Sequence, residues 1–102
     1  MTTPAPGRLW VRLMKRHRVE RDALIECEHD DAQEALRELL PKLDLSQPMW
    51  LPHHQQDWEA YSLTRFRPEH FVESVDFDYM EVTYIFPEDE KKARKRHVLE
   101  DV

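Results

Sequence analysis

Leu9, Val11 and Leu13 alternate with Trp10, Arg12 and Met14, the period-2 pattern of a half-buried strand. The polar stretch Arg16-His17-Arg18 interrupts it. The alternation then resumes, with Val19, Arg21, Ala23, Ile25 and Cys27 set against Glu20, Asp22, Leu24, Glu26 and Glu28. So short a break predicts an antiparallel hairpin over 9–27, although the turn has no Asn-Gly or Asp-Gly pair. After His29-Asp30-Asp31 the period changes. Ala32, Ala35, Leu36, Leu39, Leu40 and Leu43 fall on one helical face, and Gln33, Glu34, Arg37, Glu38 and Lys42 on the other. Asp30 or Asp31 can cap the helix N-terminus, and Pro41 should end its regular part near Leu40.

The next thirty residues are less regular. Pro48-Met49-Trp50-Leu51-Pro52 reads as a short extended segment, at most an edge strand, because proline cannot donate to a ladder. His53 to Tyr61 has room for two helical turns, Ser62 to Phe66 for a short strand, and Pro68 to Phe71 for a single turn with proline at its first position. Val75 to Phe86 is rich in β-formers, but its apolar phase changes near Tyr79-Met80, which suggests a bulge or a loop ending there. The pattern predicts an α+β fold: an antiparallel sheet opened by an N-terminal β-hairpin, with one amphipathic helix, 31–40, packed on a face and a strand within 76–86 joining the sheet. Residues 1–7 read as a disordered lead-in, 8–86 as a single domain, and 87–102 as a charged tail that is a fraying helix or disordered.

Length and charge narrow the function classes. One core fits in 102 residues. No apolar run approaches the ~20 residues of a membrane span, no signal peptide is evident, and a single cysteine points to the reducing cytoplasm. The expectation is therefore a cytoplasmic protein with no membrane partner. The net charge of −6 lies entirely in residues 1–86, where ten basic side chains face sixteen acidic ones, because the tail carries five of each. An acidic body repels phosphate backbones, which disfavours nucleic acid. One glycine and no asparagine exclude glycine-cradled phosphate motifs and N-glycosylation.

Among candidate chemistries, His53 and Asp57 are one helical turn apart, His54 adjoins His53, and His70 could supply a further ligand from the turn that follows. Such His/carboxylate sets ligate zinc or iron, so a small metal-dependent or hydrolase-like enzyme using His53, His54, Asp57 and His70 is the alternative reading. It lacks a defined ligand spacing, and the expectation is no metal, no cofactor and no catalytic residue. Cys27 lies just ahead of a helix with His29 two residues on, a weak thiolate pattern that a buried strand-end cysteine also explains. Carboxylate pairs are expected from composition alone. The basic run Lys91 to Arg96 is flanked by acids and has no aromatic for stacking. Residues 50–71 hold five of the ten aromatics together with histidines and arginines. Trp, Tyr and Arg dominate contact hot spots. The binding residues are therefore expected to be Trp50, His53, His54, Asp57, Trp58, Tyr61, Arg65 and His70, in a non-enzymatic module whose partner is a protein or peptide.

Overall fold

The computed structural model describes residues 7–87. Two strands open the chain: β1, Arg8–Lys15, and β2, Arg18–Glu26. They pair antiparallel through a two-residue turn in which Arg16 and His17 both have positive φ, 53° and 64°. That is the twist a tight hairpin requires. Two non-glycine residues carry it, and the Arg16 amide donates to Asp78 Oδ2 at 2.8 Å, which helps to hold the turn. The single glycine serves elsewhere. Gly7 lies against Tyr84, and a Cβ there would collide with the ring. It is buried and accepts the Cys27 amide at 3.1 Å, so the last residue of the expected lead-in is part of the fold. The remaining lead-in and the tail from Glu88 on lie outside the described residues.

Helix α1 spans Ala32–Leu39 and continues as a 3-10 turn, Leu40–Leu43. Its six predicted apolar positions are all buried. Pro41 marks the change of helix type, and Asp44 closes the turn at φ 58°. Asp31 occupies the N-cap position but makes no side-chain cap bond; a 3-10 turn, His29–Asp31, leads into the helix instead. Helix α2 covers Pro52–Tyr61, and Ser62 at φ 54° turns the chain directly into β3, Leu63–Phe66. A 3-10 turn, Pro68–His70, follows, and β4 runs Tyr79–Ile85.

The sheet order is β2-β1-β4-β3, with every neighbouring pair antiparallel. The hairpin therefore supplies one edge, and the short β3 supplies the other. Two segments that the pattern left open are resolved. Residues 48–51 form no strand: Pro48 is buried in coil, and Met49 instead donates its amide to the His70 carbonyl at 2.9 Å. Of the two readings of the phase change near Tyr79, the loop ending there is the one found: β4 begins at Tyr79 and Phe77 is buried from the loop side, while a register irregularity falls between Leu13 and Met14 of β1.

Strand periodicity divides the sheet into two faces. Leu9, Val11, Leu13, Met80, Val82, Tyr84, Thr64 and Phe66 point inward, where α1, α2, Phe71 and Phe77 close a single core. Trp10, Arg12, Met14, Thr83, Glu81, Tyr79, Leu63 and Arg65 point outward. Among the described residues, no helix is long and apolar enough to cross a membrane.

Candidate functional site

One local device occurs twice and organises this region. In Leu51-Pro52-His53-His54 and again in Arg67-Pro68-Glu69-His70, an extended residue precedes a proline at the first helical position. The histidine at the third position turns back, and its Nδ1 accepts the amide of that extended residue at 2.9 Å in both cases. The two entry residues have nearly the same backbone, φ −89°, ψ 166° and φ −88°, ψ 165°. The arrangement is the returning half of a capping box, with histidine in the place of Glu or Gln; the amides of His54 and His70 go to the backbone carbonyls of Leu51 and Arg67, at 3.0 and 2.9 Å, because neither entry residue has a side-chain acceptor. The X-Pro-x-His pattern is present in the sequence and could have been found there.

The two caps meet in space. His54 is 0 % exposed, stacks on Phe66 at 4.2 Å and 23°, and meets His70 edge-on at 4.7 Å and His53 at 3.9 Å. Burial lowers its pKa to about 4, and the neighbouring His53 and His70 push in the same direction; the Arg65 backbone and Asp57 oppose the shift. Nδ1 already accepts a bond, so the proton of the neutral ring sits on Nε2. That N–H is buried without a partner at normal hydrogen-bond geometry.

One nitrogen from each of His53, His54 and His70 lies within 4.8 Å of the others, which tests the metal alternative. Three of its four residues converge. Asp57 stands apart, accepting from Thr64 Oγ1 at 3.4 Å. The donor chemistry does not suit a metal. A ligating imidazole offers a lone pair, with its other nitrogen protonated and bonded to an acceptor. In His54 and His70 the Nδ1 lone pair is engaged by a backbone amide, which leaves Nε2–H, a hydrogen-bond donor, as the free nitrogen. Purified protein is accordingly expected to hold no stoichiometric zinc, iron or nickel. Elemental analysis finding about one ion per chain, lost in His54→Gln, would reverse this.

The expected binding residues separate into two groups. His53, Asp57, Tyr61 and Arg65 line a cleft of about 590 Å3 at the corner between α2 and β3. Tyr61, the last residue of α2, is 76 % exposed. Trp50, His54, Trp58 and His70 are half-buried or buried behind that corner. Trp50 donates to Gln55 Oε1 at 2.8 Å and packs on Phe66 at 5.6 Å; Trp58 donates to the His29 carbonyl at 2.9 Å. This second group supports the site and does not face solvent across the cleft. Leu63, Thr64 and Arg67 also line the cleft and were not picked out from sequence, because only the β3 register places them there. Arg65 is held by Glu81 at 2.8 Å and lies over the Tyr79 ring at 5.1 Å.

Comparison with protein-family models, with curated proteins and with solved structures finds no match.

Two other constellations can be settled from geometry. Cys27 is half-buried, and burial, with Asp31 and Glu28, pushes its thiol up, away from thiolate chemistry. His29 instead places Nε2 3.0 Å from Ser62 Oγ and Nδ1 3.5 Å from Asp30 Oδ1, the atom order of a serine-hydrolase triad. Yet the Asp30 side chain is fully exposed to competing water. The His29 ring is sandwiched between Trp58 and Phe86 at 5.0 and 5.8 Å, with Tyr84 against its edge. The imidazole is thus packed among the protein's own rings. The arrangement ties the chain before α1 to the α2–β3 turn.

Proposed function

We propose that this protein is a non-enzymatic interaction module that receives an extended peptide segment in the cleft at the α2–β3 corner. The observation that carries the reading is Tyr61, an aromatic ring left 76 % exposed at the end of a helix, over a cleft lined by every kind of group a peptide needs. Leu63 offers apolar surface. Arg65 and Arg67 offer guanidinium groups to a carboxylate, and His53 and Asp57 offer hydrogen bonds. β3 is an edge strand, so its outer backbone groups can pair with an added strand, the mode by which sheet edges take up peptides. A reducing cytosolic setting suits the single thiol.

The reading is tested by selecting peptides from a random displayed library on the whole chain and mapping the best binder by amide chemical shifts. Shifts should concentrate at His53 and at residues 61–67, and Tyr61→Ala should weaken binding at least ~10-fold, the loss expected of an aromatic hot spot. A selection with no enriched peptide, or one whose shifts map to other parts of the domain, would refute it.

A further inference from the structure

The outward face of the sheet carries a pattern that extends well beyond the peptide cleft, which it meets only at Leu63 and Arg65. Read across the four strands, one row is Asp22, Arg12, Glu81, Arg65, each residue directly opposite the next in the strand register. The signs alternate: minus, plus, minus, plus. Two of the three adjacent pairs close as ion pairs, Arg12 with Glu81 and Arg65 with Glu81. Asp22 accepts from Trp10 Nε1 at 2.9 Å, and Arg12 lies over the Trp10 ring at 4.2 Å. On either side of this row run mostly apolar ones. Leu24, Trp10, Thr83 and Leu63 form the first; Val19, Met14 and Tyr79 form the second. Leu24 and Val19 are each 46 % exposed, and the apolar faces of α1 and α2 are spent on the opposite side of the sheet.

We infer that this face associates with the same face of a second copy of the chain, about a two-fold axis parallel to the strands. The charge order selects this partner. Such an axis reverses the row, and a reversed minus-plus-minus-plus row presents the opposite sign at every position: Asp22 meets Arg65 of the second copy, and Arg12 meets its Glu81. The same rotation sets Leu24 against the other Leu63 and Met14 against the other Tyr79. A row of one sign, or a symmetric order, would repel itself under that operation. Within one copy Asp22 and Arg65 lie three strand spacings apart, about 14 Å, so they cannot pair with each other; across the interface Asp22 gains a guanidinium partner, and Arg65, already held by Glu81 at 2.8 Å, gains a second carboxylate. Glu81 is already buried between two arginines, which lowers the cost of taking the row out of water. Four short strands make a small interface, so the dimer is weak and reversible rather than obligate.

Sedimentation velocity of the full chain over a wide concentration range should show the mass rising from 12.4 kDa toward twice that value. Asp22→Arg and Arg65→Asp should each remain monomeric throughout, because each sets like charges against each other at two symmetry-related places. An equimolar mixture of the two variants should regain dimers, since every crossed pair is then opposite in sign. Circular dichroism confirms that the variants fold. Leu24→Lys, at an exposed position that no ion pair depends on, serves as an independent disruptor. A wild-type chain that stays monomeric at the highest concentration, a mixture that stays monomeric, or single variants that dimerise like the wild type would each overturn the inference. Leu63 and Arg65 border both this face and the peptide cleft, whereas Asp22 and Leu24 lie outside the cleft, so Asp22→Arg and Leu24→Lys are the variants that separate loss of dimerisation from loss of peptide binding.

Discussion

Trp58→Ala is expected to cost about 4 kcal/mol, within the roughly 3–5 kcal/mol range of buried aromatic truncations. Trp58 is 3 % exposed and touches three parts of the chain. Its ring stacks on His29 at 5.0 Å and meets Trp50 and Tyr84 edge-on at 6.1 and 6.2 Å. Its Nε1–H donates to the His29 carbonyl at 2.9 Å. Alanine leaves a cavity and an unpaired carbonyl together, and α2 loses its link to the segment entering α1. Trp58→Phe keeps most of the packing and loses the hydrogen bond, so it should cost only about 1–2 kcal/mol, the penalty for leaving a part-buried acceptor unmade. Urea unfolding followed by circular dichroism measures both. A loss below about 1 kcal/mol for the alanine variant would mean that Trp58 is peripheral. A domain of this size has roughly 5–15 kcal/mol in all, so the larger loss also predicts a loosened α2–β3 corner and weaker binding at the cleft without any change in its lining.

The same residue shows why the first half of the fold was legible and the second only in part. Along β1 and α1 each buried position is an aliphatic residue at the right period, so the pattern and the structure coincide. In α2 the buried positions are His54 and Trp58, one turn apart, and a histidine reads as polar in any amphipathic pattern. Tyr61 has nearly the same angular position as His54 on the helix but lies at its end, where the chain turns away at Ser62, so its ring overhangs the core's edge. Spacing alone could not separate the buried tryptophan from the exposed tyrosine. The hairpin was visible, but its outer strand β2 keeps only Ala23, Ile25 and the adjoining Cys27 packed against the core, which alternation over 19–27 overstated. The strand order β2-β1-β4-β3 needed tertiary information. That order makes β3 an edge and brings Leu63, Thr64 and Arg67 to the cleft.

Mild acid should destabilise the protein through His54 before most carboxylates begin to titrate. In the folded chain the His54 imidazole stays neutral down to about pH 4, against 6.5 for the free side chain. The reasons are spatial. The ring is buried between Phe66 and the other two histidines, and the Nδ1 lone pair is needed as the acceptor for the Leu51 amide at the start of α2. A proton on Nδ1 would set donor against donor and undo the cap. Above pH 6.5 neither folded nor unfolded chain protonates this group, and its neutral form contributes in full. As pH falls below 6.5 the unfolded chain takes up the proton and the folded chain does not. Stability then declines by about 1.36 kcal/mol per pH unit until the folded pKa is reached. From 6.5 to near pH 5 the loss is about 2 kcal/mol, and it reaches roughly 3 kcal/mol by pH 4. His53, His70 and Asp57 face the same ring, so the comparison must isolate His54. His54→Gln does so, because glutamine at the third position of a capping box accepts the same amide but does not titrate. Its unfolding free energy should be lower than wild type at pH 7, from lost stacking on Phe66, and flatter by about 2 kcal/mol between pH 6.5 and 5. Wild-type and His54→Gln profiles that run parallel over that interval would show that His54 titrates normally in the folded protein and that its buried, cap-accepting position is not what keeps it neutral.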